Sequence, residues 1–159
     1  MNVTHTLGAL KKFRRTPWRF QQTVELPGVA DRDRFVSVIL AALDPLESAT
    51  VTIDAVIFNT EKTLPLCPVG SALTHDTTIT AQPAEIQALL LAAFWDGFDF
   101  ICVPTPKPSV FYADHDDWIT FYANTKSNLN RVIDPLKVGG YKIVPEWQRK
   151  LQHAVRQPV

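Results

Sequence analysis

The 159-residue sequence has few cysteines and glycines, and this scarcity narrows the chemistry expected of it. Its two cysteines, Cys67 and Cys102, lie in unlike contexts without CxxC spacing, which argues against both a disulfide framework and a zinc site. Neither Gly70 nor the pair Gly139 and Gly140 fits a glycine-rich phosphate-binding motif, so a bound nucleotide is not expected. We therefore predict no cofactor.

The sequence also lacks long hydrophobic segments. No apolar run approaches the roughly 18 residues that a membrane-spanning helix needs. Residues 1–10 have no apolar core followed by a small-residue cleavage site, so no secretory signal is recognised. Cys102 lies in the apolar segment 98–103, where a free thiol in a reducing compartment is expected to be a small buried side chain. These features predict a cytoplasmic protein without a membrane partner.

Net charge is absent as well, since 16 basic residues balance 16 acidic ones, but the two signs are unevenly distributed. Residues 1–19 carry five basic side chains and no acidic one, whereas residues 63–117 carry seven acidic side chains and one lysine. An acidic surface attracts a basic partner and accelerates its association. A basic run is more often a solvated surface than a nucleic-acid site, so nucleic acid is not the expected partner.

Hydrophobic residues make up 46% of the chain, which is enough for one core in a single domain of this length. Alternating or β-branched segments predict strands at residues 17–26, 49–58, 98–103, 110–112 and 141–144, with a short addition at 77–80. Helical periodicity predicts helices at residues 31–45, 83–97 and 118–134, and from residue 145 onward. The proline-rich segment 104–108 is predicted to be an extended connection that does not pair as a central strand.

Strands and helices do not alternate strictly enough in this order for a doubly wound sheet. The predicted fold is α+β, a largely antiparallel sheet of about five strands packed with three to four helices. Residues 1–15 are predicted to be a basic N-terminal arm or short helix, and residues 16–159 a single α+β domain.

The segment 109–122 contains the sequence's densest group of chemically capable side chains. Its first part predicts a strand, and from Trp118 the apolar spacing indicates a helix that ends at Asp134 and Pro135. In this interpretation Asp116 is the N-cap of that helix and Asp117 lies in its first turn, where a carboxylate is favoured by the helix dipole.

A metal-dependent hydrolase is an alternative function for the same residues. Asp114, His115 and Asp116, with Asp54 or the pair His75 and Asp76 beside them, offer the ligands for a divalent ion that activates water. Consecutive residues point in different directions, however, and lack the i, i+4 spacing that lets one helix hold an ion. Helix capping explains these acids more simply.

The sequence also contains residues that could serve two further activities, nucleophilic catalysis and nucleic-acid binding. The candidate nucleophiles are not placed in a nucleophile elbow; they are Cys67, Cys102, Ser71 and Ser109. Aromatic and basic residues interleave over residues 13–20, which is a pattern of single-stranded nucleic-acid binding, so a nucleic-acid accessory protein that uses the basic arm is a second alternative. Core packing of Trp18 and Phe20 beside exposed arginines explains that pattern equally well.

The segment Phe111-Tyr-Ala-Asp-His-Asp-Asp-Trp118, in a small α/β protein without catalytic motifs, resembles bacterial immunity proteins that neutralise toxins. The resemblance implies a non-enzymatic protein that covers a basic site on a cognate toxin, and it implies no particular binding residues. Aromatic side chains among carboxylates are typical of a surface that holds a basic partner. The predicted partner-binding residues are Tyr112, Asp114, His115, Asp116, Asp117 and Trp118, and no catalytic or metal-binding residue is predicted.

Overall fold

The structure, a computed structural model, describes residues 1–56, 73–95, 98–106, 109–145 and 147. Within them the fold is α+β, as predicted, with one antiparallel sheet of eight strands rather than about five. The strands are β1 (Asn2–His5), β2 (Phe20–Glu25), β3 (Ser48–Val56), β4 (Thr77–Ala81), β5 (Phe98–Thr105), β6 (Val110–Ala113), β7 (Trp118–Ala123) and β8 (Ile143–Val144). Their order across the sheet is β1-β4-β3-β5-β6-β7-β2-β8.

Four α-helices accompany the sheet in the described part of the chain: α1 (Ala9–Arg15), α2 (Arg32–Leu43), α3 (Pro83–Trp95) and α4 (Lys126–Val138). Helices α2, α3 and α4 share one hydrophobic core with alternate residues of the strands, such as Val51 and Ile53 of β3. We call this side of the sheet the three-helix face. Helix α3 is apolar around most of its circumference, but its buried residues follow one face: Ile86, Leu89, Leu90, Ala93 and Phe94.

The opposite side of the sheet, the α1 face, carries a smaller core. Its buried members come from α1, β5, β6 and β7; they are Leu10, Phe13, Ile101, Val110, Tyr112 and Tyr122. Residues 1–15 form β1, which pairs with β4, and α1, which lies over the middle of the sheet. The sheet is therefore covered on both sides near β5, β6 and β7, where the strands are apolar at almost every position.

The predicted helix beginning at Trp118 is wrong over its first six residues, because this segment is the strand β7. β7 lies between β6 and β2, and its alternate residues Ile119, Phe121 and Ala123 enter the three-helix core. A strand buried on both faces shows no clean alternation, so its apolar spacing also fits a helical period. The helix begins later, at α4, where the Thr125 hydroxyl accepts a hydrogen bond from the Asn128 amide at 3.1 Å; Asp116 is not its N-cap.

Two predictions about proline are also corrected. Helix α4 does not end at Pro135 but continues to Val138, because Leu136 is fully buried and the Gly139 amide donates to the Pro135 carbonyl at 2.9 Å. Pro104 lies within β5, opposite Ala49 of β3. β6 pairs only with residues 100–102 of β5, so Pro104 has a single neighbouring strand, which a residue without an amide donor tolerates.

The other predicted elements agree with the structure where it describes them. The strand predicted at residues 49–58 is β3, and the helix predicted after residue 31 is α2. Cys102 is free and buried, as predicted, and burial raises the pKa of its thiol to about 12. Cys67, Gly70, Ser71 and, apart from Pro145 and Trp147, the helix predicted from residue 145 onward lie outside the described residues. None of the described helices combines the length and the apolar composition that a membrane crossing requires.

Candidate functional site

The four consecutive polar residues Asp114–Asp117 form the turn between β6 and β7, which we call the acidic turn. The Asp114 carboxylate closes it, since its Oδ1 accepts hydrogen bonds from the Asp116 amide at 3.0 Å and the Trp118 amide at 3.2 Å. The Asp114 amide donates to the Trp118 carbonyl at 3.0 Å, which continues the strand pairing to the start of the turn. Asp117 adopts the left-handed region at φ +62°, which aspartate tolerates better than most residues. The turn thus has a defined backbone shape.

A second carboxylate holds the turn from outside it. Asp99 of β5 accepts a hydrogen bond from the His115 amide at 2.8 Å, and its Oδ1 lies 2.9 Å from the His115 Nδ1. The other ring nitrogen of His115 lies 3.7 Å from an Asp116 carboxylate oxygen. The hydrogen bond to Asp99 raises the pKa of His115, partial burial opposes this shift, and the charges of Asp99 and Asp116 add to it.

The raised pKa of His115 gives a pH prediction. We expect its NMR titration midpoint to lie above the ordinary value of about 6.5 and to move down in Asp99→Asn, because the ring loses a charged acceptor. The protonated His115 ring should contribute fully to the free energy of unfolding at pH values below its unfolded-state pKa. This contribution should disappear as the pH rises through its folded-state pKa. Asp33→Asn, an exposed carboxylate on α2, is the control. A midpoint that does not respond to Asp99→Asn would contradict the assigned cause.

The two remaining acids of the turn point outward. The Asp116 and Asp117 side chains are 77% and 64% exposed. Asp117 Oδ1 lies 3.6 Å from Arg32, whose guanidinium also donates to the backbone carbonyls of Pro27 and Phe94. Because both side chains are largely exposed, the Asp116 and Asp117 carboxylates are hydrated, and their charges act at the surface rather than within the fold.

The aromatic residues predicted for this site lie in different places. Trp118 is half-buried and meets the Trp147 ring edge to face, with ring centres 4.5 Å apart. Tyr112 is buried on the α1 face, where its hydroxyl donates to Asp54 Oδ2 at 2.7 Å. The structure therefore places five of the predicted residues at or beside the acidic turn, and Tyr112 behind it in the small core.

A second group of ionisable residues surrounds Asp54 on the α1 face. Arg14 of α1 donates to the same Asp54 oxygen at 2.5 Å, and the His75 Nδ1 lies 2.8 Å from the Asp54 carbonyl oxygen. The His75 Nε2 lies 3.5 Å from Asp76. The structure thus brings Asp54, His75 and Asp76 together, whereas the metal-site alternative expects Asp54, or His75 and Asp76, beside Asp114, His115 and Asp116. No group of three or more ionisable ligands suited to a metal ion occurs among the residues that the structure describes.

Sequence reasoning missed Asp99, Arg14 and the role of Asp54. Asp99 lies 16 residues before His115, its hydrogen-bond partner, and only the pairing of β5 with β6 brings the two together. Its alternation with Ile101 along β5 is the one signal that could have assigned it to the α1 face. Comparison with known proteins gave no match to a family model, a curated protein or a solved structure. The chemistry of the site is therefore argued from its own residues.

Proposed function

We propose that this protein binds a basic protein partner through the acidic turn and acts as an immunity-like inhibitor that covers a basic site on a toxin. One observation carries the proposal. The carboxylates of Asp114 and Asp99 are used to hold the turn, while those of Asp116 and Asp117 are exposed. The turn thus presents negative charge on a backbone that is already ordered.

An ordered turn favours binding because association then costs less conformational entropy. Exposed carboxylates at the rim of an interface act mainly on the association rate, since they attract a basic partner over distances up to the Debye length. Tight complexes also need buried anchors that slow dissociation. Trp118, half-buried beside the turn, is the anchor candidate, whereas Tyr112 is too deeply buried to serve unless α1 moves.

The hydrolase alternative has a specific difficulty at Asp114. To coordinate a metal ion, the Asp114 carboxylate would share or surrender the Oδ1 that accepts the Asp116 and Trp118 amides. Each such charged hydrogen bond is worth about 1.5–3 kcal/mol, so this oxygen is already committed to the turn. The arrangement supports partner binding better than metal-dependent hydrolysis.

The double variant Asp116→Asn and Asp117→Asn tests the proposal. We expect about a tenfold lower association rate with the toxin candidate encoded by the adjacent gene at low salt, because two exposed charges are removed. Asparagine also tolerates the positive φ of Asp117, so the turn should be kept. The association rate can be measured by surface plasmon resonance at several salt concentrations.

The matched control removes the same charge elsewhere, with Glu47→Gln and Asp134→Asn, both exposed and both outside the acidic turn. The control should bind at the wild-type rate. Equal association rates for the two double variants would mean that net charge alone acts, and would count against the acidic turn as the binding surface.

A further inference from the structure

A cavity of about 250 Å³ lies between α1 and the half of the sheet formed by β1, β4, β3 and β5. Threonines from three neighbouring strands line one part of it, in cross-strand register: Thr4 lies opposite Thr78, and Thr78 opposite Thr52. The next strand, β5, contributes Ile101 opposite Thr52. The lining therefore changes from hydroxyl-bearing to purely apolar along one row of the sheet.

The threonine hydroxyl groups in this cavity differ in how fully they are hydrogen-bonded. Thr52 and Thr78 share a hydrogen bond of 2.9 Å. Among the residues that the structure describes, the Thr50 hydroxyl reaches only the Val103 carbonyl, at 3.5 Å, which is long for a hydroxyl donor. The Thr80 hydroxyl has no hydrogen-bond partner within the described part of the chain. Thr50 and Thr80, which are directly paired across β3 and β4, can thus both donate to a ligand.

The charge at the cavity has one sign. Of the described residues that line it, Lys12 of α1 is the only ionisable one, and its ammonium group makes no ion pair with any described residue. Arg14, two residues further along the helix, is already paired with Asp54. An anionic group is therefore the one that complements this lining.

Apart from Thr6 and Thr16, the remaining lining is largely apolar and includes Val103, Val110 and Phe13. An apolar cavity of about 150 Å³ holds benzene, and drug-sized ligands occupy about 300–1,000 Å³. A volume between these limits suits one ring or a branched chain with a short polar group.

We propose that this cavity binds a small monocarboxylate with a compact apolar body. Lys12 and the hydroxyls of Thr50 and Thr80 hold the carboxylate, and the apolar body lies against Val103, Val110 and Phe13. This site is separate from the acidic turn, so it does not depend on the proposed partner binding.

The experiment titrates the full-length protein with 3-phenylpropionate, phenylacetate and 4-methylpentanoate, each to roughly 10 mM, a range that detects weak binding. Methyl NMR signals of Thr50, Thr80, Val103 and Val110 report on the cavity. We expect saturable shifts of these signals, about tenfold weaker binding to Lys12→Met, and weaker binding of the neutral amide of each acid. Lys11→Met, the adjacent exposed lysine outside the lining, is the control and should bind as the wild type does.

A second variant, Val103→Trp, keeps the proposal testable if Lys12→Met alters α1, because the larger side chain fills the apolar part of the cavity. It should abolish the shifts. The proposal is overturned if none of the three acids shifts the cavity signals, if shifts occur only elsewhere, or if Lys11→Met weakens binding as much as Lys12→Met does.

Discussion

Replacing Phe13 with alanine is expected to lower the free energy of unfolding by about 3–5 kcal/mol, the range for truncating a buried phenylalanine. The Phe13 side chain is almost fully buried and lies among three other rings. Its ring centre is 5.2 Å from that of Tyr122, 6.0 Å from that of Trp18 and 6.1 Å from that of Tyr112. Removing the ring leaves a cavity that these rigid side chains fill only in part.

The size of this effect follows from how α1 is held. A helix of seven residues is too short to be stable alone, so α1 forms because it packs on the sheet. Its anchors are Leu10, Phe13 and the ion pair between Arg14 and Asp54. Without Phe13 the largest of these contacts is lost. A domain with a free energy of unfolding of about 5–15 kcal/mol then loses a large share of its stability.

Urea unfolding followed by tryptophan fluorescence measures this loss. Leu7→Ala is the matched control, because Leu7 is 86% exposed just before α1 and its truncation should change stability by less than about 0.5 kcal/mol. A loss below about 1 kcal/mol for Phe13→Ala would mean that α1 is not held to the sheet by this ring.

The parts of the fold that the sequence predicts well are those whose hydrophobic residues recur with one clear period, that of a strand or that of a helix. β3 alternates Val51 and Ile53, which enter the three-helix core, with Thr50 and Thr52, which line the cavity on the other side, and this alternation predicts the strand correctly. Helix α3 has a proline at its first position and apolar residues around it, which identified both its type and its start. In such segments local pattern and tertiary packing agree.

The wrong predictions of secondary structure fall where the hydrophobic residues show no clear alternation along the strand. β7 is apolar on both faces because three helices cover one and α1 covers the other, and its spacing therefore imitated a helix. The strand β1 has one valine among three polar residues, and only its pairing with β4 defines it. These two strands, with β4, which was expected only as a short addition, account for the excess over the expected five.

The candidate site was predictable in composition but not in geometry. The cluster of Asp114–Asp117 was recognised, while the function of each acid depends on contacts that sequence spacing does not reveal. Asp114 closes a turn instead of preceding a helix, because β7 follows it. The sequence did not predict the contact of Asp99 with His115, or those of Asp54 with Tyr112 and Arg14, because these partners lie on other strands, in the acidic turn or on α1.

The Asp114→Ala variant should lower both the free energy of unfolding and the affinity for the partner. Asp114 Oδ1 accepts two backbone amides, and removing a charged acceptor of this kind costs about 1–3 kcal/mol. The loss should also let the acidic turn sample other conformations, which adds an entropic cost to binding. Urea unfolding measures the first effect, and dissociation rates by surface plasmon resonance measure the second.

Two comparisons separate the turn's shape from its charge. Asp114→Asn keeps an oxygen that can accept the Asp116 and Trp118 amides but removes the charge, so it should retain more stability than Asp114→Ala does. Asp116→Ala removes a charge that is 77% exposed and should leave the unfolding free energy within about 0.5 kcal/mol of the wild type. If Asp116→Ala destabilised the fold as much as Asp114→Ala, the two carboxylates would not have the separate roles assigned to them. If Asp114→Ala weakened unfolding stability but left partner dissociation unchanged, the order of the turn would be unrelated to binding, and the partner surface would have to be sought elsewhere.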